Sequence, residues 1–173
     1  MQKVAIITGA SRGIGRACAE MLARCGIKVI ANYNNSEEQA KRLKEQLIKE
    51  GVEIDIFKAD VSKREEVKNM TDFVLNKYGR VDILVNNAGI SQTKLFTDIT
   101  DSDWQNMINT NLSSAFYMTQ EVLPSMISKK EGCIINISSV WGIHGGSCEV
   151  HYSAAKAGMI GMTKALAKEL RTI

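Results

Sequence analysis

Three side chains in residues 133–170 have the types and the spacing for carbonyl chemistry. Tyr152 and Lys156 stand four apart, which on a helix puts a phenol and an ammonium on one face. An unperturbed tyrosine ionises near pH ~10. A neighbouring cation favours the phenolate, so a lysine at this spacing makes the phenol a better proton donor at neutral pH. Ser139 follows the apolar run 133–138. A hydroxyl delivered by such a strand could hold a carbonyl oxygen while Tyr152 protonates it. A tyrosine and a lysine four apart also occur on ordinary solvated helices, so the surrounding elements must decide between the two readings.

Those elements are periodic. Residues 3–8 form a short β-branched run of the kind buried on both faces of a parallel sheet. Residues 28–33, 53–59, 81–85 and 133–138 read as four further strands. Between them the pattern is helical over 16–25, over a polar stretch capped by Ser36 and closed by Gly51, and over a charged stretch, 63–78, stopped by Gly79. A long helix opens at Asp101 or Ser102 and runs to the region of Ile127, with Pro124 expected to bend or break its last part. A glycine-rich loop with Gly142, Gly145 and Gly146 then leads into the Tyr152 helix. This alternation predicts an α/β fold: one Rossmann-like domain over 1–173, a doubly wound parallel sheet between two helix layers.

The first strand ends in Gly9-Ala-Ser-Arg-Gly13-Ile-Gly15 and a helix follows. Strand, glycine turn and helix in that order suit the pyrophosphate of a dinucleotide. Glycines let the backbone approach the phosphates, and the helix N-terminus offers free N–H groups. The G-x-x-x-G-x-G spacing is looser than G-x-G-x-x-G, and such a turn can be only a turn. In parallel sheets, however, ligands sit beyond the carboxyl ends of the strands. Residues 9–15, Asp60 with Val61, residues 86–89 and Ser139 all fall on that edge.

Composition narrows the alternatives. The 173 residues are 45% hydrophobic and 24% charged, enough for a sizeable core. The net charge of +3 comes from scattered basic residues, so no nucleic-acid footprint is expected. Cys18, Cys25, Cys133 and Cys148 show no C-x-x-C spacing and are expected to be buried, reduced thiols, with neither a disulfide nor a metal site. The N-terminus lacks a charged segment followed by a long apolar run, so a cytoplasmic protein with no membrane association is expected.

With these residues in hand, the chain resembles the short-chain dehydrogenase/reductase family over essentially its whole length. Residues 8–15 resemble the family's cofactor turn, Asn86-Asn-Ala-Gly89 its motif after the fourth strand, and Ser139, Tyr152 and Lys156 its catalytic serine and Tyr-x-x-x-Lys pair. Within the family the likeness is to 3-oxoacyl-acyl-carrier-protein reductases, through the phrases at 8–15, 81–90, 111–114 and 152–158. The resemblance implies hydride transfer from a nicotinamide to a ketone, with Tyr152 as general acid, Ser139 polarising the carbonyl, Lys156 bonding the nicotinamide ribose, and Asn111 holding a water that continues the proton path. It implies a cofactor set of Gly9, Ser11, Arg12, Gly13, Ile14, Gly15, Tyr33, Asn34, Asp60, Val61, Asn87, Ala88 and Gly89, together with Tyr152 and Lys156. No metal is implied.

The choice of dinucleotide turns on the end of the second strand. An NAD site wants an acid there for the ribose 2′-hydroxyl. This chain has Tyr33 and Asn34, with no acid before Glu37. Arg12 is placed to pair with a 2′-phosphate, so NADP(H) is expected. Similar NADP-dependent reductases often carry Arg where this chain has Asn34. Family members pair the long helix and the Tyr152 helix in homodimers and homotetramers, and Met107, Phe116, Met118, Met159, Met162 and Leu166 are candidates for that surface. The family also continues past this point, with another strand and a substrate-covering lid. A chain of this length is therefore expected to lack the last strands; the resemblance favours a ketoreductase of fatty-acid synthesis acting on an acyl-carrier-protein thioester, with a secondary-alcohol, sugar or steroid dehydrogenase or a non-catalytic nucleotide-binding form as alternatives.

Overall fold

In the computed structural model, which describes residues 2–172, strands β1 (Val4–Ile7), β2 (Lys28–Tyr33), β3 (Ile54–Lys58), β4 (Ile83–Asn86) and β5 (Cys133–Asn136) form one parallel sheet in the order β3-β2-β1-β4-β5. Residues 1 and 173 of the expected domain lie outside that description. Side-chain alternation sorts the central strands between two cores. Ala5, Ile7, Val29, Ala31 and Val85 face helices α1 (Gly13–Arg24) and α2 (Glu37–Lys49), packing on Ala19, Ala23, Leu43 and Leu47. Val4, Ile6, Ile30 and Leu84 face the other layer, against Val67, Met70 and Val74 of α3 (Arg64–Tyr78) and Met118, Val122 and Met126 of α5 (Ser114–Lys129). The three layers and the parallel sheet are those expected. Each strand lies within two residues of its expected bounds at either end.

Two details differ from the expectation. Ser36 precedes α2, but its side chain makes no capping bond; Glu37 and Glu38 in the first turn suit the helix dipole instead. The long helix opens at Asp101 as expected, as α4 (Asp101–Ile108), and Thr100 caps it through a reciprocal box with Asp103. The long helix is interrupted not at Pro124 but at a π-turn, Asn109–Ser113. Pro124 sits inside α5 without ending it, because Val122 and Met126 are anchored in the core on either side. A π-turn has room for one extra residue per turn and often marks a functional site; this one carries Asn111.

The glycine-rich loop contains a four-residue helix, α6 (Trp141–His144), before α7 (Val150–Glu169). Met107, Met118 and Met159 are 1%, 0% and 1% exposed, so they belong to the core and not to a partner surface. Phe116 is exposed, and Met162 and Leu166 are half-buried. The four cysteines are free, but none is buried: Cys25 and Cys133 are exposed, Cys18 and Cys148 partly so. Cys133 is open because no element covers its side of the edge strand among the described residues.

At the amino edge, one carboxylate joins three strands. Asp82, 2% exposed, accepts the Val4 N–H at 2.8 Å and the Arg80 Nε at 2.7 Å. Its own N–H donates to the Val4 carbonyl, and its carbonyl takes the Cys133 N–H. Burial alone would raise the Asp82 carboxyl, but Arg80 and the Val4 N–H outweigh it and hold the group below the usual carboxylate range. Asp82→Ala is expected to cost about 3 kcal/mol at pH 7. A depressed folded pKa contributes stability above the unfolded value and loses it as pH falls through the folded one. The gap between variant and parent in urea unfolding should therefore narrow below about pH 4.

Candidate active site

The strand order reverses between β1 and β4, and the crevice beyond their carboxyl ends is where a parallel sheet takes a ligand. Thr8 spans it. Its Oγ1 accepts the N–H groups of Asn87 and Ala88, each at 3.0 Å, and donates to the Val85 carbonyl at 3.4 Å. Asn87 Nδ2 donates back to the carbonyls of Thr8 and Gly9 at 2.9 and 3.1 Å. From the other side Asn32 Oδ1 accepts the Gly9 N–H at 3.2 Å, while its Nδ2 donates to Ala59 at 2.9 Å. The turn so held needs glycine at position 9: φ is +61°, and a Cβ would stand 2.9 Å from the Ala88 Cα.

Beyond that turn, Ser11 and Gly15 are buried while Arg12, Gly13 and Ile14 are exposed. Arg12 occupies the N-cap of α1 without a side-chain cap, and no acid stands in the first turn. The helix thus presents its N–H groups uncapped, as an anion site requires. On the β2–β3 side Tyr33 is 7% exposed, its phenol pushed up by burial, and Asn34 is exposed. Asp60 accepts the N–H and hydroxyl of Ser62 at 3.0 and 2.7 Å. Val61 packs its side chain into the core, so only its backbone is left to meet a ligand.

At the centre, a cavity of about 240 Å³ is lined by Ile14, Asn87, Gly89, Asn111, Tyr152 and Lys156, among others. A larger groove of about 460 Å³ between α5, β5 and α7 contains none of these groups, so the chemistry belongs to the smaller one. Lys156 is 4% exposed. Its Nζ donates to the Ile137 carbonyl at 2.8 Å and stands 5.7 Å from the Tyr152 ring centre. A Cβ on Gly89 would lie 2.6 Å from Asn111 Oδ1 and 3.7 Å from Lys156 Nζ, which puts all three in one small volume. Asn111 is fully buried. Its Oδ1 accepts the Ile90 N–H at 3.2 Å and its Nδ2 donates to the Met107 carbonyl at 3.0 Å, fixing the wall of the cavity to the π-turn.

Ser139 stands just outside the lining, where its Oγ accepts the Trp141 N–H at 3.2 Å. Ser138 turns inward and donates to the Lys156 carbonyl at 3.0 Å. A Cβ on Gly142 would come within 2.8 Å of that same peptide unit, so α6 packs on α7 in near backbone contact. Sequence reasoning missed the bracing residues Asn32 and Ser138 and the Ile137 carbonyl. Asn32 carried a signal, being a polar residue inside an apolar strand. The carbonyl carried none.

Comparison with known proteins agrees with this geometry. The family model for short chain dehydrogenase matches residues 3–173. A 3-oxoacyl-[acyl-carrier-protein] reductase of Staphylococcus epidermidis is 43% identical over 170 residues, 98% of this chain and 70% of the relative's length. One from Synechocystis is 45% identical over 168 residues, 97% of this chain and 68% of the relative. A metagenomic short-chain oxidoreductase solved in complex with NADP superposes with a TM-score of 0.94 at 33% identity, covering 98% of this chain and 77% of that one. An actinorhodin polyketide ketoreductase variant with NADPH gives 0.93 at 36% identity, covering 98% and 65%. The chain belongs to the short-chain dehydrogenase family. No helix of the described residues is long and apolar enough to cross a membrane, and among them no His, Cys, Asp or Glu cluster could hold a metal ion.

Burial pushes the Lys156 ammonium down from its ordinary range, and no carboxylate pairs with it among the described residues. A buried cation with one hydrogen bond is a cost to the fold. Lys156→Met is expected to raise the unfolding temperature by about 2–4 °C, the effect of roughly 1 kcal/mol in a chain of this size. With a depressed folded pKa, the cost lessens as pH rises from that value toward about 10.4. The advantage of the variant should therefore shrink in alkaline thermal melts, while a variant no more stable at pH 7 would refute the account.

Proposed function

We propose that the protein is an NADP(H)-dependent ketoreductase whose substrate is a 3-oxoacyl thioester on acyl carrier protein. The observation that carries this is the convergence of Tyr152, Lys156, Asn111 and Gly89 on one cavity, beside the uncapped first turn of α1. The curated relatives named above support the substrate class, and the solved structures with NADP or NADPH support the cofactor. The residues present fit such a group: a glycine turn, free helix N–H groups, and no acid at the end of β2 to repel a 2′-phosphate. Arg12, whose guanidinium makes no hydrogen bond or ion pair among the described residues, is assigned to that phosphate. Asn34, exposed beside Tyr33, and the backbone of Val61 with Asp60 border the adenosine end. Ser11 and Ile14 line the pyrophosphate end, with Asn87, Ala88 and Gly89 under the nicotinamide.

Bound there, the dinucleotide supplies a hydride to the ketone carbon. The chain's own residues manage the oxygen and the proton. Tyr152 donates its phenolic proton to the carbonyl oxygen as general acid. Ser139 Oγ is fixed as an acceptor by Trp141, which leaves its own O–H free to donate to that oxygen. Lys156 spends one of its three N–H donors on Ile137 and keeps two for the ribose and for stabilising the tyrosinate after transfer. Asn111 places the cavity wall and a water at the end of the proton path. The exposed faces of α4, α5 and α7 serve a homodimer or homotetramer, and four free cysteines suit a cytoplasmic enzyme.

Tyr152→Phe should lower kcat for NADPH-dependent reduction of an acetoacetyl thioester by about 10²–10⁴-fold, with NADPH binding by fluorescence unchanged. Retained turnover would sink the assignment. Simple ketones, sugars and steroids in the same panel test the substrate class. Arg12→Ala should cut kcat/KM for NADPH by about 10–100-fold and leave NADH nearly unaffected, the value of one charge-assisted contact to phosphate. Equal losses with both dinucleotides would remove Arg12 from that role.

A further inference from the structure

His151, beside Tyr152 on α7, has no exposure at all, and nothing above uses it. Its Nε2 lies 2.9 Å from Gln92 Oε1. Gln92 is oriented by its other end, where Nε2 donates to Asp103 Oδ1 at 3.2 Å. A carboxylate accepts only, so the Gln92 amide must turn its oxygen to His151, and His151 must carry its proton on Nε2. Its Nδ1 is then a buried acceptor without a partner among the described residues.

Asp103 is itself anchored, taking Lys94 Nζ at 2.6 Å and the N–H and hydroxyl of Thr100 at 3.0 and 2.7 Å. The segment carrying Gln92 is sewn to the approach of α7 as well. The Lys94 N–H donates to the Cys148 carbonyl at 2.8 Å and the Thr93 hydroxyl to Glu149 at 3.3 Å. Ile90 and Ser91, just before Gln92, line the same cavity as Tyr152 and Lys156.

We infer that His151 and Gln92 are positioning residues for the reaction: their bond locks the 90–94 wall of the cavity onto the first turn of α7 and so sets where Tyr152 presents its hydroxyl. Neither residue touches the substrate. The buried, unpartnered Nδ1 is a standing cost, tolerated because the imidazole is the rigid donor that reaches Gln92 from a helix position one residue from the acid.

This rests on the ketoreductase reading, and the test separates the two. His151→Phe keeps a ring of similar size without the donor; His151→Gln restores an N–H near the place of Nε2. Gln92→Met breaks the same bond from a half-buried position, should His151→Phe not fold. Amide exchange is followed at Lys94 together with kcat and KM for the acetoacetyl thioester. In both bond-breaking variants, Lys94 exchange is expected to speed up at least tenfold and kcat to drop at least tenfold, with KM for NADPH within twofold. His151→Gln should return both to within threefold of the parent. Unchanged Lys94 exchange overturns the inference whether or not the parent turns over. Faster exchange with unchanged kcat in an active parent also overturns it, since the bond would then be structural only. A parent inactive on every ketone defeats the ketoreductase reading instead, and the exchange result alone then decides whether the bond locks the wall.

Discussion

The hydroxyl of Thr8 is the point on which the rest of the site depends. Where the strand order reverses between β1 and β4, the chain leaves the sheet in two directions, and the first N–H groups past β4 lose their ladder partners. Such donors, here part-buried, are satisfied from within the chain. One oxygen takes both, from Asn87 and Ala88, while Asn87 returns two bonds to the turn after β1. The two loops are thereby one rigid body. The glycine turn, the first turn of α1 and the 86–89 segment keep a fixed relation to one another, and that relation is the floor of the cavity.

On that floor the fold places its least comfortable group. Among the described residues Lys156 is buried without a carboxylate, held by one backbone carbonyl. A salt bridge would relieve the burial but would also consume the donors and place a second charge beside the phenol. Holding the amine with a neutral carbonyl leaves its other N–H donors unspent on the cavity side, beside the Tyr152 ring. The instability is local because the surroundings are over-determined. Ser138 and the near backbone contact at Gly142 fix the peptide unit of Lys156, and Met159, one turn further on, is in the core.

Most of the fold was legible because a parallel sheet buries its strands on both faces. Such strands read as continuous apolar runs, and the helices between them declare their ends by glycines such as Gly79. What failed were local choices with near-equal competitors. Ser36 is a good N-cap residue by type, yet its side chain makes no capping bond, and the first-turn glutamates serve the helix dipole instead. Pro124 is a helix breaker in isolation, yet the core anchors on both sides override it, whereas the π-turn around Asn111 has no residue that announces it. Cysteines look like core residues by type, but Cys133 is exposed on the edge strand β5, whose outer side no described residue covers. At the site, the motif residues were readable by type and spacing. The groups that hold them are backbone carbonyls and single polar side chains, whose partners only the folded chain reveals.

The two halves of the cavity are therefore built on different principles. The dinucleotide side is made largely of main chain: glycine backbones, helix N–H groups and one threonine oxygen. Arg12 and Asn34 are exposed beside it and take no part in that framework. The opposite wall is made of side-chain links across three segments, from Asp103 through Gln92 to His151 and from Glu149 to Thr93. Links of that kind change with single residues, and each change shifts the wall against a fixed phenol. The contacts that vary with side chains are thus separate from the backbone contacts that hold Lys156.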